Sequence, residues 1–152
     1  MDIKRISKDE YYLNIALAVS KRSTCLKRHY GCVVVNDDVI VSTGYNGNPR
    51  YESNCCDVGT CKRQNAQRYS DYKNCNAVHA EQNALIVANR KNMLGGIAYL
   101  ACEGFDSNSQ MWVEDDNPVP CNICLNMLKN AGISKIINKR GTVYAIDENS
   151  QL

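Results

Sequence analysis

The sequence predicts an α/β protein, a three-layer α/β/α sandwich built around a mixed five-stranded sheet. Three observations support this prediction. The chain has 152 residues, the size of one ordinary domain. Its β-branched runs are interspersed with amphipathic stretches in the order α-β-β-α-β-α-β-β, and turn residues separate them. We therefore expect a single domain over residues 1–152, without internal repeats or low-complexity tracts.

A helix and a hairpin open the chain. Ser7-Lys8-Asp9-Glu10 has the spacing of a capping box, and apolar residues then recur on one helical face until about Arg22. β-Branched runs over 32–35 and 39–43 predict two strands. Asn36-Asp37-Asp38 between them predicts a short polar turn.

The second half of the chain supplies the remaining elements. Periodicity and β-branched content predict helices over 79–90 and 121–131, and strands over 97–101, 135–137 and 142–146. Gly95-Gly96 precedes the third strand and Gly132 ends the last helix. The polar tail over 147–152 is expected to fray.

Charge and cysteine content limit the function classes. With 18 basic against 16 acidic residues and a net charge of +2, the chain lacks the charge of a non-specific nucleic-acid binder, so we expect no polymeric nucleic acid as partner. It has neither a membrane-spanning apolar stretch nor a signal peptide after Met1, which predicts a cytoplasmic protein without a membrane partner. Nine cysteines in that compartment indicate metal binding or reduced thiols.

The most informative pattern is His79-Ala80-Glu81 followed, further along, by Pro120-Cys121-Asn122-Ile123-Cys124. One imidazole and two thiolates suit zinc, and the spacing of Cys121 and Cys124 directs both sulfurs toward one ion. Helix N-termini stabilise thiolates through their dipoles and free N–H groups. Three protein ligands leave a fourth position for water, as in zinc sites that perform hydrolysis.

Glu81 is the residue that a purely structural zinc site would not require. The combined pattern resembles the signature of zinc-dependent nucleobase deaminases. This implies attack of zinc-bound hydroxide on C4 of cytosine, with Glu81 carrying protons to N3 and to the leaving amino group. An isolated C-x-x-C also occurs in structural zinc knuckles and redox pairs, but the two motifs together favour deaminase chemistry.

Four further stretches resemble the deoxycytidylate deaminases of bacteria and phages: Arg22-Ser23-Thr24-Cys25, Gly44-Tyr45-Asn46-Gly47, His79-Ala80-Glu81-Gln82-Asn83-Ala84 and Asn130-Ala131-Gly132-Ile133. The resemblance extends from about Arg22 to Ile137. It implies a cytidine-deaminase-like fold, conversion of dCMP to dUMP as a supply for dTMP synthesis, and a homo-oligomer, often a hexamer. It also implies that Asn46 contacts the substrate sugar and that Ala80 belongs to the substrate site.

A basic cluster and one arginine are candidates for further nucleotide contacts. Arg22, Ser23, Lys27 and Arg28 lie near a predicted active-site loop and suit the 5′-phosphate, although basic residues after a helix also complement its dipole. In phage relatives, an arginine at the position of Arg90 contributes to regulation by dCTP and dTTP, with Mg²⁺. The alternative for Arg90 is a solvated residue at a helix end.

The polar loop over 48–76 is longer than an ordinary connection, and it needs a stabilising interaction such as a bound metal to become ordered. Relatives that carry a second, structural zinc take its ligands from positions matching this loop and its flanks. The resemblance therefore implies a four-thiolate site made of Cys25, Cys55, Cys61 and Cys75, with Cys56 as competitor for Cys55. In such a site, all four zinc positions would be filled by protein ligands, and the metal would hold the loop in place. The alternative is that these thiols are reduced and bind no metal. Cys32, which alternates with valines, is expected to pack as a small hydrophobe.

The chain departs from the family at residues 103–119, an insertion before the P-C-x-x-C helix that contains Phe105 and Trp112. These aromatic residues could form a lid over the pyrimidine, anchor a subunit contact or fill a local cluster. The departure leaves the substrate open. Alternatives are another cytosine nucleotide or nucleoside, a base in tRNA or single-stranded DNA, and a non-catalytic zinc-binding module.

Overall fold

The computed structural model describes residues 1, 3–67, 72–147 and 149. Its helices are α1 (Lys8–Ser20), α2 (Cys55–Val58), α3 (Ala80–Ile86), α4 (Arg90–Met93) and α5 (Asn122–Asn130), with a 3₁₀ turn at Tyr72–Asn74. Its strands are β1 (Arg28–Asn36), β2 (Val39–Tyr45), β3 (Ile97–Asp106), β4 (Met111–Asp115), β5 (Lys135–Asn138) and β6 (Gly141–Ala145). Within the described ranges, no helix combines the length and hydropathy needed to cross a membrane. Most of the tail over 147–152 lies outside the described residues.

The strands form one mixed sheet in the order β2-β1-β3-β5-β6, with β4 paired to β3. β3 and β5 run parallel, and the other neighbours are antiparallel. The predicted mixed sheet is confirmed, but it has six strands instead of five. The additional strand β4 comes from the inserted segment, and it pairs with Cys102–Asp106 on the edge of β3 opposite β1.

Helices cover both faces of the sheet and produce the predicted three layers. Val33 and Val35 of β1 pack with α1 on one face, whereas Cys32 and Val34 point to the other face, where α3 and α5 lie. Cys32 is fully buried in this second cluster, so its prediction as a small core residue is confirmed. Burial of both faces explains the nearly continuous apolar run in β1.

The predicted helix over 79–90 is in fact two helices, and this part of the prediction was wrong. α3 ends at Ile86 and α4 begins at Arg90. The break occurs because Asn89 is extended and its side chain accepts a hydrogen bond from the Lys91 N–H at 2.9 Å, which starts a new helix. A helical period alone does not reveal such an internal cap.

Gly44 is the point at which α3 packs directly on the backbone of β2. A Cβ atom at Gly44 would lie 2.3 Å from both the Ala80 carbonyl oxygen and the Ala84 nitrogen. Because these are backbone atoms, a side chain here could be accommodated only if α3 moved away from the sheet.

We therefore expect Gly44→Ala to lower the free energy of unfolding by about 3 kcal/mol, measured from the midpoint of urea denaturation. Gly104→Ala in the same sheet is the matched control, since its Cβ would meet nothing closer than 4.0 Å. Equal midpoints for the two variants would contradict the close packing at Gly44.

Candidate metal centre and active site

Two helix N-termini bring three metal-ligating side chains together. His79 is the N-cap of α3, Cys121 is the N-cap of α5, and Cys124 lies in the first turn of α5. The His79 Nδ1 atom is 3.3 Å from Cys124 Sγ and 3.7 Å from Cys121 Sγ. Ligand atoms on a tetrahedral zinc are about 3.5–3.8 Å apart, so the three donors fit this ion. In the part of the chain that the structure describes, this is the one group of three such donors within 4.8 Å of one another.

Backbone contacts fix the position of His79. Val78, the preceding residue, forms a pair of backbone hydrogen bonds with Gly47 after β2, at 2.8 and 3.1 Å. The His79 N–H donates to Gln82 Oε1 at 2.9 Å, and Gln82 Nε2 lies 3.8 Å from Met127 Sδ on α5. Gln82 was not among the predicted site residues, although a glutamine three residues after an N-cap has the spacing of a capping box.

Glu81 is buried beside these ligands, with 7% of its surface exposed. Burial raises the pKa of its carboxyl group, and the neighbouring His79 and the Cys124 thiol act in the opposite direction. Burial and the Glu81 charge together raise the pKa of the Cys124 thiol. A carboxyl group in this position can exchange a proton with a molecule bound next to the metal ligands.

Asn46 joins the ends of two strands. Its Oδ1 atom accepts a hydrogen bond from the Tyr30 N–H at 2.8 Å, and its Nδ2 donates to the Arg28 carbonyl at 3.0 Å. The Asn46 carbonyl in turn accepts from Ser23 Oγ at 2.8 Å. One amide N–H and one acceptor position remain on the side chain, so its predicted contact with a sugar stays a prediction. The same holds for Ala80, which is fully buried at the start of α3.

The comparisons with known proteins agree with this arrangement. Residues 6–139 match the family model described as the cytidine and deoxycytidylate deaminase zinc-binding region. The chain belongs to this deaminase family. It is 35% identical to the deoxycytidylate deaminase of Mycobacterium phage D29, over 85% of this chain and 91% of that protein. It is also 34% identical to the deoxycytidylate deaminase of Saccharomyces cerevisiae, over 97% of this chain but 42% of that protein.

The chain spans about two fifths of the length of its two yeast relatives. Among solved structures, it resembles the dCMP deaminase of cyanophage S-TIM5 in its apo form, with 25% identity, a TM-score of 0.56 and coverage of 85% of this chain and 79% of that one. The same cyanophage protein in complex with dCMP and dUMP has a TM-score of 0.59 at 23% identity, over 88% and 82% of the two chains. These likenesses confirm the cytidine-deaminase-like fold.

Two members of the basic cluster are engaged within the protein. The Arg28 guanidinium forms an ion pair with Asp115 of β4, and Lys27 Nζ donates to the Arg63 carbonyl at 2.5 Å. A phosphate at Arg28 would therefore share the guanidinium with Asp115. The assignment of the substrate phosphate stays a prediction for Arg22, Ser23 and Arg28.

Arg90 opens α4 and is exposed. Its Nε atom donates to the Asn130 carbonyl at the end of α5, at 2.9 Å. This contact links the two helices and satisfies a carbonyl that a helix end leaves without an intrahelical partner. The effector role of Arg90 stays a prediction.

The insertion over 103–119 forms a β-hairpin from the end of β3 and β4. Phe105 and Trp112 face each other across the two strands, with ring centroids 5.5 Å apart in an edge-on arrangement. The Trp112 ring also stacks on His29, with centroids 3.6 Å apart. His29 in turn contacts Glu103 Oε1 through Nδ1, at 2.9 Å. Of the three interpretations of the two aromatic residues, the structure therefore shows the local cluster.

Three of the cysteines assigned to a second site lie close enough to Cys55 to act on its thiol, but among the described residues the four sulfurs do not form a group of donors within 4.8 Å of one another. Burial raises the pKa of the Cys55 thiol, and the thiols of Cys25, Cys61 and Cys75 raise it further. Backbone N–H groups donate to the sulfurs of Cys25 and Cys61, each at 3.4 Å. Cys56 is exposed, and its thiol lies 3.7 Å from Asp57 Oδ1. The surroundings of the two neighbours thus favour Cys55 over Cys56 as the inward-facing thiol.

Proposed function

We propose that this protein catalyses the hydrolytic deamination of dCMP to dUMP with release of ammonia. The observation that carries the proposal is the buried Glu81 carboxyl group beside the His79, Cys121 and Cys124 donors. Holding a metal ion does not require this carboxyl group, whereas proton transfer during deamination does. The similarity to the D29 deoxycytidylate deaminase over 91% of that protein supports dCMP as the substrate.

The residue roles follow from the chemistry of the donors. Zinc held by His79 Nδ1 and the two thiolates would lower the pKa of a water molecule from about 15.7 toward about 7. Glu81 accepts one proton from the attacking water and delivers it to N3 of the pyrimidine. It then takes the second proton from the same oxygen, now bonded to C4, and carries it to the amino group at C4. That group leaves as ammonia, and a carbonyl replaces it. Burial raises the pKa of the Glu81 carboxyl, which is the direction that favours a group that must both accept and return a proton.

Substrate preference is tested by measuring ammonia release from dCMP, dCTP, deoxycytidine and cytidine, with Glu81→Ala as the inactive control. We expect kcat/KM for dCMP to exceed that for deoxycytidine by at least about tenfold, because charge-assisted hydrogen bonds to the 5′-phosphate contribute binding that the nucleoside lacks. Equal values for dCMP and deoxycytidine would contradict a nucleotide substrate.

The proposal includes an oligomer and an effector response, as the family resemblance implies. Exposed apolar side chains on and beside α3 and α5 support a subunit interface on this face: Ile86, Val119, Ile123 and Met127.

Regulation by dCTP and dTTP with Mg²⁺, with Arg90 as a contributing residue, is part of the same proposal. Adding either nucleotide to the dCMP assay, with Arg90→Ala beside the wild type, tests it.

We also propose that Cys25, Cys55, Cys61 and Cys75 hold a second, structural zinc. The effect of Cys25, Cys61 and Cys75 on the Cys55 thiol, and the N–H groups directed at two of the sulfurs, support this assignment. A closed four-thiolate site would stabilise the loop that follows β2, whose described residues over 48–67 and 73–76 contribute none of the buried core residues.

Metal analysis of the purified protein should therefore give two zinc ions per chain, and Cys61→Ser should lower the content to one. Cys56→Ser is the matched control, because its exposed thiol lies outside the proposed ligand set and its substitution should leave the zinc content unchanged. One zinc per chain in the wild type, unaffected by Cys61→Ser, would contradict the second site.

A further inference from the structure

The turn between β5 and β6 forms ion pairs with the segment that leads from the inserted hairpin to Cys121. Lys139 Nζ donates to Glu114 Oε2 at 3.0 Å, and Arg140 Nε donates to Asp116 Oδ1 at 2.9 Å. Both ion pairs are largely exposed, so each contributes little on its own. They show, however, that this turn follows the inserted segment closely.

Asn138, the last residue of β5 before this turn, makes the buried part of this contact. Its side chain is 1% exposed, and Nδ2 donates to both the Asn117 Oδ1 atom at 2.9 Å and the Pro118 carbonyl at 3.0 Å. Its Oδ1 atom accepts from the Arg140 N–H at 2.9 Å. Both amide protons and the oxygen are thus used, and the loss of this side chain would leave the buried Pro118 carbonyl without its donor.

The segment held by Asn138 ends at a metal ligand. Pro118 is buried and lies three residues before Cys121, the N-cap of α5. On its other side, Cys121 is fixed by α5, whose Cys124 N–H donates to Cys121 Sγ at 3.5 Å. The Cys121 thiol itself is exposed, so little packing restrains it directly. Its position relative to His79 Nδ1 therefore depends on both anchors.

We infer that Asn138 is a positioning residue for the metal centre, which it serves by holding Asn117 and Pro118 so that Cys121 stays at ligand distance from His79. This inference rests on the proposed His79, Cys121 and Cys124 site. Residues that orient metal ligands from outside the ligand set change metal affinity when they are substituted. We expect metal affinity to depend on Asn138 in the same way, although Asn138 contacts the segment at Asn117 and Pro118 and not the Cys121 thiol itself.

The test measures metal binding, not activity. Co²⁺ replaces zinc in the full chain, and the thiolate absorption that Cys124→Ser removes reports this centre alone. We expect Asn138→Ala to weaken Co²⁺ binding at this centre about tenfold and to change the intensity of its absorption bands. Asn117→Ala should give a smaller loss, because the bond from Asn138 to the Pro118 carbonyl remains.

Two variants separate positioning from general stability. Lys139→Ala removes an exposed contact of the same turn, and Ile136→Val trims a buried side chain of the same strand. Both should keep the wild-type affinity for Co²⁺. Wild-type affinity in Asn138→Ala, or an equal loss in Ile136→Val, would overturn the inference. If Asn138→Ala does not fold, the result for Asn117→Ala decides. If Cys124→Ser removed none of the thiolate absorption of the wild type, the metal site on which the inference rests would be overturned instead.

Discussion

Glu81→Gln should lower kcat for dCMP by about 10²- to 10⁴-fold and leave the zinc content unchanged. Glutamine has nearly the same shape as glutamate and can still form hydrogen bonds, but it cannot accept a proton from water and return it to the pyrimidine. Because Glu81 is not a required metal ligand, its loss affects the chemistry and not the assembly of the site. Steady-state ammonia release and metal analysis on the same preparation measure both quantities.

Glu103→Gln provides the matched control for this prediction. Glu103 is also buried, with 6% of its surface exposed, but its carboxylate contacts Lys21 and His29 and not the metal ligands. We expect this variant to lose stability while kcat stays close to that of the wild type. A comparable fall in kcat in both variants, or a loss of zinc in Glu81→Gln, would argue against the role assigned to Glu81.

Cys124→Ser should abolish zinc binding at the catalytic centre and reduce activity below detection. Serine offers a hard, poorly ionised oxygen in place of a thiolate, and two remaining ligands do not hold zinc against dilution. Zinc analysis after gel filtration and ammonia release from dCMP measure the effect. Removing the metal from the wild type with a chelator should have the same consequence, and added zinc should restore activity to the wild type but not to the variant.

Cys102→Ser is the control for the loss of a buried thiol. Cys102 is fully buried like Cys124, but it lies on β3, where Arg28 contacts its sulfur. This variant should keep its zinc and most of its activity. Retention of catalytic-site zinc by Cys124→Ser would show that His79 and Cys121 bind the metal with some other group.

The predictable parts of the fold are those whose signal is local. The β-branched run over 32–35 identified the middle of β1, and the two aspartates after it formed the expected turn, with Asp37 and Asp38 at φ of 50° and 59°. The first residues of β1 escaped prediction because Arg28 and His29 carry no apolar alternation, and their extended conformation comes from pairing with β3. β4 was missed for the same reason, since it exists as a strand only through its partner.

The same distinction applies to the site. His79, Cys121 and Cys124 were recognisable because each motif is compact and its residue types are typical of zinc ligands. The choice between Cys55 and Cys56 required the structure, because adjacent residues point in different directions that spacing does not specify. No local sequence pattern indicates the role of Asn138, since its partners Asn117 and Pro118 are about twenty residues away in the chain.

The inserted hairpin also has a consequence for protein engineering. Its paired residues are in register from Cys102 with Asp115 to Asp106 with Met111, and residues 107–110 form the turn that closes it. Foreign sequence grafted into this turn would extend the hairpin outward and leave the paired residues opposite one another. Removal of a single residue from Val113 to Asp116 would instead shift the register and pull on Cys121. The tip is therefore the place for a tag, a binding loop or a reporter domain, and the base is where length must be preserved.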